Sequence, residues 1–158
     1  MKLLDRLPIY EEPALIDVWG EVLEIYRNQI IIWVSLAETS RPFPALLDTG
    51  HSHNFSIPRR QLQRWGRTDP KLIGESKVGR RVIPQYESEL FIHANEPGKR
   101  RLTGRKHRLK MTEGISVVPD DVPLRLPLIG LRALIHNDVD LIIRSRKRQV
   151  TMRTKGWW

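Results

Sequence analysis

The sequence predicts an all-β, barrel-like domain. Short runs rich in β-branched and aromatic residues recur along the chain, and turns that contain Gly, Pro, Asn or Asp separate them. Only two segments carry the end signals of helices, and both are short. The length of 158 residues suits one domain with its own hydrophobic core. Many short strands with two short helices are typical of barrel-like β folds.

The first half of the chain predicts successive antiparallel hairpins. Residues 1–13 contain two prolines and two glutamates, and we expect a loose arm there. Residues 16–26 have strand character, and a polar turn separates them from a β-branched and aromatic strand over residues 30–36. A second turn leads to the apolar run 44–50, which is typical of a buried strand. This strand ends in Asp48 and turns on a glycine.

The middle of the chain begins with a short strand at Asn54–Ile57. Pro58 then starts a short helix that ends at Gly66, because proline suits the first turn of a helix and glycine its end. Residues 71–83 predict strand, turn and strand, and residues 86–93 predict another strand. The basic segment 99–110 predicts an exposed loop or hairpin.

The last third predicts a strand at Ile115–Val118 and a short helix over Leu131–His136. Residues 139–143 and 149–152 predict a closing hairpin around a basic turn. We divide the chain into an N-terminal arm at 1–15, one domain at 16–154 and a tail at 155–158.

The composition excludes some classes of protein and site. The formal net charge is +9, which can attract nucleic acid or acidic proteins but is also typical of a solvated surface. No run of 18 apolar residues is present, so we expect no membrane span. The first residues lack the apolar stretch of a signal peptide, and we expect a cytoplasmic location. Without cysteine, disulfides and thiolate metal sites are excluded.

Two apolar runs that end in glycine carry the functional signal. The first is Leu46-Leu47-Asp48-Thr49-Gly50, and the second, Leu128-Ile129-Gly130, leads into the predicted helix Leu131–His136. Asp-Thr-Gly alone is compatible with an ordinary β-turn, since Asp and Gly are turn residues. Its context adds information: a strand precedes it, a strand and a short helix follow, and the second run comes after a glycine-containing hairpin.

That order of motifs resembles the retropepsins, the single-domain aspartic proteases of retroviral type, over roughly residues 16–154. The resemblance implies a closed antiparallel β-barrel of the acid-protease type with one or two short helices. It also implies an aspartic endopeptidase that cleaves a polypeptide substrate by means of an activated water molecule. We expect neither a cofactor nor a metal ion.

The resemblance assigns roles to individual residues. Asp48 would be the catalytic residue, and because the chain has one such motif, a homodimer would supply the second aspartate. Such a pair shares one proton, so that one carboxyl acts as base and the other as acid. Thr49 would hold the two loops together across the axis, and Gly50 would let the backbone turn and the substrate approach. Gly130 would let its strand pass behind the catalytic loop.

The substrate groove would involve His51, Ser52, Gly79 and Ile129. Gly79 lies in the segment Lys77–Arg81, which is the candidate for the flap that closes over substrate in this family. The glycine suits a mobile tip, whereas the arginines beside it are unusual for a flap. An ordinary surface hairpin is the alternative interpretation.

Three positions depart from the family pattern. The residue after the Asp-Thr-Gly glycine is commonly small, whereas here it is His51, and an imidazolium there would shift the active pH range. Ser52 and His53 stand where acidic residues often bind the substrate backbone. The arginine expected directly after the late glycine is replaced by Leu131, with Arg132 one position later.

Other residues admit further interpretations. His51 and His53 would lie on one face of a strand and suggest a metal pair, but no third ligand has convincing spacing. Trp157 and Trp158 would anchor a dimer interface or belong to a frayed tail. The basic segment 99–110 lacks aromatic residues for base stacking, so it supports only non-specific contact with phosphates.

Two alternative functions follow from these departures. The His51-Ser52-His53 segment is compatible with a non-catalytic, peptide- or protein-binding module on the same fold. The charge of +9 is compatible with a nucleic-acid-binding β-barrel, although we do not expect nucleic acid to be the partner.

Overall fold

The computed structural model describes residues 1–155, and half-buried or buried short strands dominate it. Gly156, Trp157 and Trp158, and with them the expected anchoring role of the two tryptophans, lie outside the described residues. The strands are β1 Lys2–Pro8, β2 Ala14–Val18, β3 Glu21–Ile25, β4 Ile31–Ser35, β5 Phe43–Asp48, β6 Phe55–Pro58, β7 Leu72–Val78, β8 Arg81–Tyr86, β9 Leu90–Asn95, β10 Leu102–Leu109, β11 Ile115–Val118, β12 Leu128–Gly130, β13 Val139–Arg144 and β14 Gln149–Thr154.

The predicted helices are both present. Helix α1 covers Arg59–Gln61 and continues directly as a π-helical turn over Leu62–Gly66, while α2 covers Leu131–His136. Pro58 precedes the first helical residue, as expected from its fixed φ and its missing N–H group. None of the helices described in residues 1–155 is long and apolar enough to cross a membrane.

The strands form three sheets. The largest has nine strands in the order β10-β9-β4-β5-β12-β6-β11-β8-β7, a second has the order β1-β14-β13, and β2 pairs with β3. The prediction of a mainly β fold with few helices is therefore confirmed. Within residues 1–155 no pairing joins β10 to β7, so the nine-stranded sheet is not shown as a closed barrel.

The expectation of purely antiparallel pairing is wrong. β12 runs parallel to β5, and β11 runs parallel to β6, while the other pairs are antiparallel. Both parallel partners come from the last third of the chain. A parallel pair needs a long connection between its strands, and hairpin signals along the sequence do not reveal it.

The expectation of a loose arm over residues 1–13 is also wrong. β1 pairs antiparallel with β14, and Leu3, Leu4 and Leu7 are buried in the main core. The signal was missed because the strand that covers β1 lies about 150 residues later in the chain. Another difference concerns residues 86–93, where the expected single strand is interrupted between Tyr86 and Leu90.

The core lies between the nine-stranded sheet and the elements packed on it. Its largest fully buried side chains include Trp65, Phe43 and Phe55. The rings of Phe43 and Trp65 have centroids 5.8 Å apart, so the helical segment after β6 packs against the start of β5. This packing fixes β5 and β6 on either side of β12, where the candidate site lies.

Candidate active site

The site is built where β12 lies between β5 and β6. β12 pairs with β5 on one side, with Gly130 opposite Asp48, and with β6 on the other, with Ile129 opposite Phe55. β5 and β6 are joined by the loop Thr49–Asn54, which we call the Asp48 loop. This loop therefore crosses over the end of β12, and the structure brings the two sequence motifs together.

Gly130 has no room for a side chain. A Cβ atom added to it would lie 2.3 Å from the carbonyl oxygen of His53 and 2.8 Å from that of His51. The backbone N–H of Gly130 donates to the carbonyl oxygen of Asn54 at 3.0 Å. The Asp48 loop is thus seated directly on Gly130.

The carboxylate of Asp48 is half-buried and organises the start of its loop. Its Oδ1 atom accepts the backbone N–H of Gly50 at 3.0 Å, and its carbonyl oxygen accepts the N–H of His51 at 3.1 Å. Gly50 makes this turn without a left-handed φ. The turn itself therefore does not need glycine, in contrast to our expectation.

Thr49 and Gly50 are exposed on the single chain. A Cβ atom added to Gly50 would meet only Asp48 Oδ1, at an ordinary contact distance of 3.5 Å. Space inside one chain therefore explains neither residue type. The expected contact of Thr49 across a dimer axis stays a prediction.

His51 is anchored rather than free. Its Nε2 atom shares a hydrogen bond of 2.7 Å with the hydroxyl of the buried Ser56 on β6. Burial first, and then the neighbouring His53, lower the pKa of His51 below its usual value, while Asp48 opposes this shift. The ring is therefore neutral at neutral pH, and the imidazolium considered from the sequence is not present there.

His53 connects the Asp48 loop with the hairpin formed by β7 and β8. Its Nε2 atom shares a hydrogen bond of 3.3 Å with Ser76 on β7. Gln85 on β8 donates to Ser76 at 3.0 Å and to the buried Ser116 at 2.8 Å. Burial first, and then Arg132, lower the pKa of His53, and Glu113 opposes the shift. Nothing in the sequence pointed to these serine and glutamine partners.

The β7–β8 hairpin confirms the predicted strand, turn and strand. Val78 pairs with Arg81, so Gly79 and Arg80 form a two-residue turn, and Gly79 has a left-handed φ of +62°. Arg81 forms an ion pair of 3.0 Å with Asp121 in the turn after β11. Val78 is 50% exposed, and it extends a mostly exposed hairpin.

An apolar cleft of about 270 Å³ lies between this hairpin and the Asp48 loop. His51 and Ser52 line it on the loop side, and Val78 and Ile83 line it on the hairpin side. The remaining apolar wall comes from the turn after β11 and from β12, with residues Val118, Val122, Pro123, Leu124 and Leu128. A cleft of this kind suits an aliphatic or aromatic group.

A second, polar cleft of about 470 Å³ lies on the other side of the Asp48 loop. Ser52 and His53 belong to its wall, and so do Glu113 and Arg132, which form an ion pair of 2.6 Å. The displaced arginine of the sequence motif thus has an acidic partner. Glu113 had no signal in the sequence, because it pairs with Arg132 through the fold alone.

Two site predictions need comment. Ile129 is fully buried in the main core and lines neither cleft, which differs from the expected place in a groove. Asp48 also lines neither cleft within the single chain, although both clefts border the loop that it starts. In residues 1–155, no group of three or more His, Asp or Glu side chains is placed to hold a metal ion.

The basic segment forms part of the edge strand β10. Arg108 pairs with Glu89 at 3.1 Å, and both Lys99 and Arg101 lie 3.9 Å from Glu96. Charged side chains on an edge strand prevent other chains from pairing with it. This placement gives the basic residues a structural explanation that needs no nucleic acid.

Comparison with known proteins gives one similar structure. No family model matches the chain, and no curated protein matches it. Among solved structures, the chain is similar to the EIAV protease in complex with the inhibitor HBY-793. The similarity covers 76% of this chain and 92% of that chain, with 14% identity and a TM-score of 0.39. Likeness at this level establishes neither a family nor an activity for this chain.

Proposed function

We propose that this protein is a retropepsin-like aspartic endopeptidase that works as a homodimer. The observation that carries the proposal is the seat of the Asp48 loop on Gly130, with β12 between the two strands that the loop connects. This arrangement presents a half-buried carboxylate on a backbone fixed from below. A surface β-turn would not need a strand from 80 residues later beneath it.

The chemistry follows from one carboxylate per chain. Two copies of Asp48 would face each other across a twofold axis and share one proton, because two carboxylates so close do not both ionise. The ionised one takes a proton from water, whose oxygen then attacks the peptide carbonyl carbon. The protonated one donates to the carbonyl oxygen, and collapse of the tetrahedral intermediate breaks the C–N bond as the amine leaves with a proton.

The surroundings of Asp48 support this role. Its Oδ1 atom already accepts the N–H of Gly50, which limits the orientations of the carboxylate. The exposed Thr49 and Gly50 are available for a second copy or a substrate. The apolar cleft beside His51 would hold a side chain of a polypeptide substrate, and the β7–β8 hairpin would cover it.

Our first prediction concerns the substitution Asp48→Asn. It removes the ionisable group, and we expect peptide cleavage to fall by about 10³-fold or more. The measurement is cleavage of a peptide library at several pH values, at a protein concentration where the wild-type dimer is populated.

Asp17→Asn is the matched control. Asp17 Oδ1 also accepts a backbone N–H, that of Gly20 at 2.8 Å, but it lies in the β2–β3 turn. Cleavage should survive this control. Equal cleavage by wild type and Asp48→Asn would refute the proposal.

A second candidate is a peptide-binding module without hydrolysis. The hydrogen bond between His51 and Ser56 favours it, because it holds an imidazole ring where the family has a small residue. Wild-type protein that binds peptides but leaves them intact under all these conditions would select this candidate.

A further inference from the structure

The outer edge of β13 is the open edge of the three-stranded sheet. β13 pairs with β14 along its whole length, and within residues 1–155 no strand pairs with its other edge. An unpaired strand edge exposes backbone N–H and C=O groups that can bind another strand.

The opposite edge of the same sheet is already covered. In β1, the N–H of Asp5 donates to Asn95 Oδ1 at 2.9 Å, and the carbonyl oxygen of Asp5 accepts the N–H of Gly98 at 3.0 Å. The first and last strands also pair with each other, for example through the N–H of Thr154 and the carbonyl oxygen of Met1 at 2.9 Å. β1 and β14 are therefore occupied within one chain.

The sequence of β13 is complementary to itself. Asp140-Leu141-Ile142-Ile143-Arg144 has an acidic and a basic residue at equal distances from its centre. If two copies pair antiparallel with Ile142 at the twofold axis, Asp140 lies opposite Arg144 of the second copy. Leu141 then lies opposite Ile143, and every contact occurs twice, as an isologous interface requires.

The side chains of β13 differ from those of the other edge strand with charged residues, β10. β10 carries Arg105, Lys106 and Arg108, which discourage pairing. The middle of β13 is aliphatic, with Ile143 46% exposed and Ile142 half-buried. Arg144 has no carboxylate partner among the described residues. A second copy would supply both the apolar cover and the missing carboxylate.

We propose that two copies of this chain pair through β13, and that the resulting six-stranded sheet has the order β1-β14-β13-β13-β14-β1. The proposal rests on the proposed function, because the site is incomplete without the Asp48 of a second copy. β13 is also close to the site along the chain. Gly130 lies opposite Asp48, and only the six-residue helix α2, about 9 Å long, and a two-residue turn separate it from β13.

A charge exchange tests the register of this interface. Asp140→Arg or Arg144→Asp alone would turn two attractive pairs per dimer into two repulsive ones. We expect each to raise the dimer dissociation constant about tenfold or more, as measured by analytical ultracentrifugation. The double variant D140R/R144D should restore the wild-type dissociation constant to within a few-fold.

The two single variants control for each other. Asp140 also lies 3.8 Å from Arg153 within its own chain, so D140R disturbs an internal contact. Arg144 lies opposite the neutral Gln149, so R144D does not. An unchanged dissociation constant in R144D, or a double variant as weak as the single ones, would overturn the proposal.

A disulfide test is independent of charge and of peptidase activity. The natural chain has no cysteine, so Ile142→Cys introduces one thiol that lies opposite its own copy. Mild oxidation should give a covalent dimer at concentrations where Val22→Cys does not. Val22 on β3 is a suitable control because it is 61% exposed and far from β13 in sequence. Equal cross-linking of both variants would argue against pairing through β13.

The outcomes separate this interface from the proposed function. A dimer that cleaves peptides through Asp48 but passes neither β13 test overturns the interface and leaves the function intact. A dimer that passes both β13 tests without cleavage that depends on Asp48 supports the interface and overturns the function. A chain that stays monomeric at every concentration overturns both.

Discussion

At the centre of the site, a Cβ atom added to Gly130 would lie 2.3 Å from the carbonyl oxygen of His53, whereas one added to Gly79 at the hairpin tip would meet no atom within 4 Å. Gly79 instead has a left-handed φ of +62°, which Gly130 does not. Both glycines were predicted from the sequence as parts of the site. They are glycines for opposite reasons, one because of its neighbours and the other because of its own backbone.

The difference separates a fixed centre from an adaptable border. Around Gly130, strands from three parts of the chain and the Asp48 loop meet, so a change there has to move backbone. Around Gly79, the chain is exposed and bordered by solvent, so a change has only a local cost. An enzyme needs both properties, because catalytic groups must be held in place while substrate enters and leaves.

The largest effect is expected for Gly130→Ala. The added methyl group would force the Asp48 loop off β12, and we expect a loss of about 3 kcal/mol or more in the free energy of unfolding. Urea unfolding at neutral pH measures this loss. Cleavage should also be lost at concentrations of denaturant where the wild type is still folded.

Gly74→Ala is the control for this prediction. Gly74 lies in β7 with an ordinary φ, and a Cβ atom added to it would meet nothing within 4 Å. We expect its unfolding free energy to stay within about 0.5 kcal/mol of the wild type. Similar stabilities of the two variants would contradict the proposed seat of the loop on Gly130.

A smaller effect is expected for Gly79→Ala. The methyl group has space, but alanine pays about 1–2 kcal/mol in the left-handed region, and a strained tip can relax by shifting the turn. Gly79→Asn should lose less, because asparagine tolerates this conformation better. Thermal unfolding of both variants gives the comparison, and equal losses would show that space rather than φ decides this position.

The strands and helices of the centre could be predicted because their signals are local. The β-branched run around Ile32 and the end signals around Pro58 and Leu131 each lie within one element. What could not be predicted are the partners from elsewhere in the chain. β1 depends on β14, and the two parallel pairs depend on strands that come about 60 and 80 residues later.

The same limit applies to the site. Asp48 and Gly130 were found because each belongs to a motif, and the fold places them opposite each other. Ser56 and Glu113 were missed because a serine or a glutamate carries no signal until its partner, His51 or Arg132, is placed beside it. Ile129 was assigned to the groove by its neighbourhood in sequence, but alternation along β12 directs it into the core.

The smallest effect concerns the pH dependence of the centre, through His51. In the unfolded chain a histidine binds a proton as the pH falls through about 6.5, whereas burial and His53 lower the pKa of His51 in the fold. Just below pH 6.5 the unfolded state therefore binds more protons, so stability is fully present above this pH and declines as the pH falls. In His51→Gln, the drop in melting temperature between pH 7.5 and pH 5.5 should become smaller, whereas substitution of the exposed His136 by Gln should leave it unchanged. An equal drop in His51→Gln and wild type would show that the ring is as well solvated in the fold as in the unfolded chain, which would contradict its burial against Ser56 and the end of β12.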